Sequence, residues 1–405
     1  MLKLTENSIV KIFIILTLII FSFVGVNVHD GFMGIVVPHF EMAQVLIHSL
    51  FLFLFLVLFL LMKFFHNKPV KFDLICGCLF VKCLFDLLPL YNGSVRATAY
   101  FQFYMCTVVS LVVYFVIINT RFTDNDLKSI RMYLIIFSFV LGCEVCYTFL
   151  KNPIPYGQPA YKMNMVVPYG GSNVIASALV PILSLLYLSK IKKPVKYFSM
   201  GFVLLAVFLT CSRGGLLLAF MTLFFLFFFC SKNKKNMSLK RLAIILIVLS
   251  AAMYFFASEE LLTLFRLVKT GNSTGSILQY LSNGRFELWM NSFSEMDEKL
   301  FFGIGMYPDK YSMTGLHNIV LDIILRCGVF GAINYFIMFA VLIKRGFHTY
   351  KVTQNPYFVM VCIVYVNSLF ELSYFYYNTD TMLWLYVGLV MSAYYRRKAI
   401  HSESV

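Results

Sequence analysis

Residues 195–230 read VKYFSMGFVLLAVFLTCSRGGLLLAFMTLFFLFFFC. Two apolar runs, 195–211 and 213–230, flank one short polar turn. Each run is close to the roughly 20 residues that a helix needs to cross a bilayer. The stretch therefore reads as two spanning helices joined tightly. The same pattern recurs at about 9–26, 43–62, 73–90, 99–119, 130–150, 172–189, 240–257, 317–343, 356–373 and 380–395, which makes about twelve candidate spans. The first of them resembles a signal peptide in position. No small-residue cleavage site follows its apolar stretch, so it is expected to be a span.

Composition agrees with that reading. Of 405 residues, 60% are apolar and 13% charged, and 44 are Phe. A disordered chain has the opposite balance, and a soluble core could not hide so much apolar side chain. The 10 cysteines lie scattered in apolar runs without zinc-type spacing, and are read as small core hydrophobes. The expected fold is all-α: one polytopic membrane domain over 1–405, with about 12 transmembrane helices and one long extracytoplasmic loop at 258–316.

The net charge of +15 would suggest nucleic acid in a soluble protein. Here its placement argues otherwise. With the N-terminus in the cytoplasm, every second loop is cytoplasmic, and those loops and termini hold 23 of the 34 Lys and Arg. That alternation is the positive-inside pattern and puts both termini in the cytoplasm. No nucleic-acid partner is expected; the bilayer is. Two outer segments stand out, 151–171, rich in Pro, Gly and Tyr, and the long loop 258–316. Within the loop, Glu259 to Lys269 and Phe286 to Met296 have helical apolar spacing, which predicts short interfacial helices. The tyrosines of 151–171 are candidates for stacking on sugar rings.

A charge inside a span costs about 2.5–3.5 kcal/mol at mid-helix. Lys82, Asp86, Glu144, Arg326 and Glu371 fall inside candidate spans, and Arg213 opens one. Lys82 and Asp86 are four apart and so placed to pair. Arg326 stands in the same relation to Asp322.

Three local patterns carry chemistry. Cys211-Ser212-Arg213-Gly214-Gly215 sets a guanidinium fork, suited to phosphate, on a glycine turn. Gly284-Arg285-Phe286-Glu287-Leu288-Trp289 puts an Arg and one of two tryptophans on the long loop, ahead of Gly303-Ile304-Gly305. Leu316-His317-Asn318 opens a span containing Gly328 and Gly331. A His at a helix mouth, with an orienting neighbour, can act as a base. Each pattern alone is also compatible with a plain structural role.

In this order the three resemble the O-antigen ligase and O-antigen polymerase superfamily of bacterial membrane glycosyltransferases. The Ser-Arg-Gly-Gly turn follows a span led by Asn173, the Arg-x-x-x-Trp element precedes a Gly-x-Gly, and His-Asn precedes a Gly-x-x-Gly helix. The likeness covers roughly 165–390 and takes in Glu371. It implies a glycosyltransferase on the outer face of the bacterial cytoplasmic membrane, using an undecaprenyl-diphosphate-linked oligosaccharide as donor, with no metal and no cofactor. It implies Arg213 and Arg285 on the diphosphate and His317 near the acceptor as catalytic residues. Asn318, Glu371, Arg326, Asn173 and Trp289 are the expected substrate-binding residues.

A polymerase of lipid-linked repeats, making capsule, exopolysaccharide or O-antigen, is favoured over a ligase of finished glycan because no added soluble domain is evident. A flippase and a chain-length regulator are the expected protein partners. A transporter of lipid-linked sugars is the alternative from another class. It predicts internal repeats and broken helices meeting at mid-membrane, and the sequence shows neither.

Overall fold

The computed structural model describes residues 5–23, 26–30, 35–39, 42–91, 104–230, 285–294, 300–303, 316–369 and 377–403. These residues are mostly helical. In chain order the helices are α1 (Glu6–Phe23), α2 (Met42–Phe65), α3 (Leu74–Tyr91), a π-helical turn (Tyr104–Val109) leading into α4 (Ser110–Ile118), α5 (Asp124–Lys151), the short α6 (Pro159–Asn164), and α7 (Ser172–Leu188). They continue with α8 (Lys193–Leu209), α9 (Arg213–Phe229), α10 (Arg285–Ser294), α11 (Ile319–Thr353), α12 (Pro356–Ser368) and α13 (Tyr377–Glu403). Eleven of the twelve apolar runs fall on these helices. The run at 240–257 lies outside the described residues. Among the described residues, α5 and α11 are long and apolar enough to cross a membrane.

Helix α7 is the hub. Every side chain from Val174 to Leu186 is buried, and α5, α8, α9, α12 and α13 all pack on it. A helix apolar all round is one surrounded by other helices or by lipid. Helix α2 shows the lipid-facing alternative. Leu52, Phe55 and Phe59 face inward, with the Phe55 ring 4.1 Å from that of Phe13 on α1, while Phe53, Leu54, Leu58, Leu61 and Phe64 remain exposed. So large an outward apolar face, repeated on α8 and α9 by Phe198, Leu205, Leu217 and Met221, is a membrane surface.

The buried charges sort as their spacing suggests. Lys82 and Asp86 pair at 3.1 Å, and Thr107 on the π-helical turn donates to Asp86 at 2.5 Å. Arg326 Nε lies 3.6 Å from Asp322. Asp380, not singled out by sequence, is fully buried and accepts from Ser110 and Trp384. Glu144 Oε2 meets no hydrogen-bond partner among the described residues. The nine described cysteines are all free.

Four features depart from the sequence expectation. The first run ends as helix at Phe23, and Val26–Asp30 (β1) pairs antiparallel with Ile35–His39 (β2), Val28 facing Val37. The β-branched Val26, Val28, Ile35, Val36 and Val37 favour such strands over more helix. A second, minimal hairpin, β3 (Val166–Val167) with β4 (Gly170–Gly171), lies against β2. Third, α11 runs past its apolar stretch to Thr353, so Lys344, Arg345 and Lys351 sit on helix rather than loop. Fourth, α11 is broken at Gly328, where an unbroken helix is expected. Gly328 has φ 67° and ψ −170°, a conformation essentially restricted to glycine.

Charged knots fasten the end of the bundle opposite the three motifs. Asp73 caps α3 through Cys76 N–H and accepts hydroxyl hydrogen bonds from Tyr114 of α4 (2.9 Å) and Tyr395 of α13 (2.7 Å), with Arg345 of α11 at 3.5 Å. Glu6 holds Lys63 and Lys68, and Lys63 also donates to Asn119 O. Asp126 holds Lys11 and closes the capping box of α5 with Thr123.

Candidate functional site

Two turns at one end of the bundle are built alike. In each, a non-glycine residue takes the left-handed conformation, the next residue caps a helix, and the helix starts at once. Cys211 has φ 55° and Ser212 caps α9, its hydroxyl accepting from Gly215 N–H at 3.2 Å. His317 has φ 53° and Asn318 caps α11, its side-chain oxygen accepting from Val320 and Leu321 N–H. Left-handed non-glycine residues are uncommon and cluster at functional sites. The His-Asn pair thus has a local cause: one residue makes the turn and the other caps it.

The first turn is pinned from several sides. The Ser212 hydroxyl donates to Asn173 Oδ1 (2.9 Å), and Ser172 donates to Thr210 O (2.6 Å). A Cβ on Gly215 would come within 2.4 Å of Ala176, so the second glycine of the motif allows α9 to close on α7. The tyrosines of 151–171 serve the same turn. Tyr161 donates to Leu209 O (2.6 Å) and Tyr156 to Phe208 O (2.9 Å), at the carbonyls that end α8. Burial, with Cys211 nearby, pushes the Tyr161 hydroxyl up to about 12, so it stays a donor. Tyr161 and Tyr169 are buried, so their rings pack within the protein and are not offered to a sugar.

The second turn is held on both flanks of His317. Leu316 N–H donates to Asp322 (3.0 Å), and Leu316 O accepts the Trp289 indole N–H (2.8 Å). Trp289, Leu321 and Ile324 pack against the buried pair Leu316 and Leu325, which docks α10 against α11. Asn318 Nδ2 donates to Leu369 O at the end of α12 (3.2 Å).

Helix α12 joins the two turns. Asn367 donates to Ser177 (2.5 Å), and Ser177 donates to the carbonyl of Asn173 (2.8 Å). A polar thread therefore runs from Ser212 through Asn173, Ser177 and Asn367 to Leu369 and Asn318, and Trp289 joins the same turn through Leu316 O. It gathers Asn173, His317, Asn318, Trp289 and the helices opened by Arg213 and Arg285 at one end of the bundle. Sequence reasoning missed Ser177, Asn367 and the capping role of Ser212; Ser212 was visible as a Ser before a helix start, whereas nothing in the sequence pairs Ser177 with Asn367. Glu371 lies outside the described residues, two positions beyond Leu369. So do Glu259 to Lys269, while the other expected loop helix is present as α10.

Arg213 and Arg285 are the first residues of α9 and α10, with Arg213 exposed. A cation there opposes the helix macrodipole, whose N-terminal end is already positive. Arg326 sits deeper, one residue before Cys327, whose Sγ lies 3.9 Å from Asp86.

The break at Gly328 is filled by the long loop. Val329 N–H donates to Leu300 O (2.9 Å) and Phe330 N–H to Phe301 O (3.3 Å). A Cβ on Gly328 would fall 2.3 Å from Phe301 O, and one on Gly303 (φ 74°) 2.3 Å from Arg326 O. The two glycines meet backbone to backbone, so the Gly-x-Gly of the loop and the Gly-x-x-Gly of the helix form one seam. No group of metal-ligating residues occurs among the described residues. Glu295 and Asp297, spaced as a carboxylate pair on the loop, lie outside them.

Comparison of the whole chain with curated proteins finds no match. Residues 198–336 match the family model described as O-antigen ligase, a stretch holding Arg213, Arg285, Trp289, His317, Asn318 and Arg326. Over that third of the chain the match supports the O-antigen ligase and polymerase family, whose members are glycosyltransferase-like enzymes acting on lipid-linked glycans.

Proposed function

We propose that the chain is a polymerase joining undecaprenyl-diphosphate-linked oligosaccharide repeats into a surface polysaccharide on the outer face of the bacterial cytoplasmic membrane. The observation that carries this reading is the thread that sets two Arg-opened helices and the His317 turn at one end of the bundle. The growing chain, held by its lipid diphosphate, is the donor. Arg213 and Arg285 stabilise the charge that gathers on the diphosphate as the bond to the anomeric carbon breaks. A preorganised donor of this kind is worth about 10²–10³ in rate. The new bond forms from a sugar hydroxyl of the incoming repeat, and His317 takes its proton. Attack opposite the leaving group inverts the anomeric centre. Asn318, Glu371, Asn173, Trp289 and Arg326 shape the site around the two sugars. The transfer needs no metal, and chelation leaves it intact. A flippase that supplies repeats and a chain-length regulator are the partners this activity calls for.

The description of the matched family favours a second reading, a ligase that passes finished glycan to a lipid or protein acceptor from the same site. A transporter would use the broken helix to line a substrate cavity; here Leu300–Gly303 occupy the break. Deleting the gene separates the readings. Accumulation of single lipid-linked repeats is the expected result. Full-length polymer still on lipid means a ligase, and unchanged glycan ends both. Within the site, Arg213→Ala, Arg285→Ala and His317→Ala should each abolish long polymer at normal expression. Wild-type polymer from all three would remove the site assignment.

A further inference from the structure

The end of the bundle away from the motifs holds a cavity of about 380 Å³. The start of α5, the α11–α12 turn and the last turns of α13 wall it. Three arginines line it, Arg131, Arg396 and Arg397, against one carboxylate, Asp124. Arg396 takes that carboxylate at 2.9 Å and also donates to Phe122 O. Arg131 spends only Nε, on Leu127 O at 3.3 Å. Two further donors are buried with no hydrogen-bond partner among the described residues, the Tyr357 hydroxyl and Arg397 Nη1. Tyr357 is 3% exposed, and Arg131 is close enough to act on it electrostatically. Buried donors are nearly always satisfied, so two orphans beside an excess of positive charge mark a place for an acceptor-rich anion.

We propose that this cavity binds a phosphate-bearing anion, with Arg131 and Arg397 on the phosphate oxygens and the Tyr357 hydroxyl donating to another. Guanidinium forks match phosphate geometry, and donors arriving from three separate helices suit a tetrahedral oxyanion better than a planar carboxylate. Beside the polar Thr353, Asn355 and Ser392, the apolar part of the wall, Phe122, Leu127, Pro356 and Ala393, accommodates the apolar part of a lipid. Basic pockets between membrane helices hold anionic headgroups in this way. The site is independent of the glycan-transfer reading, because none of its residues belongs to the motif end.

The test uses the full chain in a neutral detergent, titrated separately with phosphatidylglycerol, inorganic phosphate and an uncharged diacylglycerol. Thermal unfolding and calorimetric binding are the readouts. Phosphatidylglycerol should bind and raise the unfolding midpoint, and diacylglycerol should not. Inorganic phosphate binding as well identifies a free-anion site; phosphatidylglycerol alone identifies a headgroup site. Arg131→Ala and Arg397→Ala should each weaken binding about tenfold or more. Tyr357→Phe removes only the orphan hydroxyl. It should weaken binding about two- to tenfold without lowering the midpoint of the ligand-free protein. The proposal is overturned if diacylglycerol does as well as the phosphate ligands, if neither phosphate ligand binds, or if folded Tyr357→Phe and Arg131→Ala bind like wild type.

Discussion

His317 shows how much one residue is asked to do. It occupies a left-handed position between Leu316, tied to Asp322 and Trp289, and Asn318, tied to α11 and to Leu369. Backbone and side-chain roles can be separated there. Asn tolerates the left-handed conformation nearly as well as His, so His317→Asn should fold and unfold like wild type. It should lose about 10²–10⁴ in transfer rate if the imidazole is the base. Glycan length and detergent-phase unfolding measure the two separately. A His317→Asn protein that polymerises normally would leave the imidazole without a chemical role. Arg213 invites the same separation. It stands at the positive end of α9, where the helix dipole disfavours a cation, and Arg213→Gln, which keeps a donor but removes the charge, separates the two contributions.

At the scale of elements, α11 decides the most. Its break at Gly328 is paired with Gly303, and the freed N–H groups of Val329 and Phe330 are taken up by Leu300 and Phe301. Gly328→Ala places a Cβ in a glycine-only conformation, at a cost of about 1–3 kcal/mol, and against Phe301 O besides. The unfolding midpoint should fall, and the loop should become open to protease around Leu300–Gly303. A midpoint unchanged from wild type would mean that the seam does not form. This element also marks where sequence reading stops. The helices were legible because apolar runs near membrane length leave little else to form, and the Lys82–Asp86 and Arg326–Asp322 pairs because helix spacing fixes i,i+4 neighbours. The break was not legible. Gly328 and Gly331 read equally well as packing glycines, and only the approach of a segment 25 residues upstream distinguishes the two. The tyrosines of 151–171 failed for a similar reason: composition reports aromatic surface but not which way it faces.

For the whole molecule, the two ends are held by different forces. The motif end is joined through α7 and α12 by neutral hydrogen bonds, with the Asp322 carboxylate holding Leu316 N–H beside Arg326. The opposite end relies on carboxylates that tie helix termini together. Burial raises the Glu6 carboxyl, but hydrogen bonds from Lys63 and Lys68 outweigh it and hold it below the usual range. Burial likewise opposes Lys11, Thr123 and Asn7 at Asp126, whose carboxyl is held down to about 2. Folded-state values depressed in this way mean that the unfolded chain binds protons first on acidification. Their stabilisation is complete above about pH 4, the unfolded carboxyl range, and is lost as pH falls toward 2. Thermal unfolding between pH 7 and pH 2 should show that loss, and Asp126→Asn should flatten part of it. A midpoint independent of pH through that window would contradict the assignment. Lys11, Lys63 and Lys68, which the sequence reading assigns to the cytoplasmic side, are thus also residues that fasten this end.

The seam between Gly303 and Gly328 has one more consequence. It fastens the long loop to the bundle at Leu300–Gly303, with only residues 304–315 in sequence before Leu316, where the chain is held again. A nick between residues 304 and 315 would leave both polypeptide pieces fastened, by the Val329–Leu300 and Phe330–Phe301 backbone bonds and by Trp289 on Leu316. The chain is in effect divisible there into two fragments that carry their own means of reassembly.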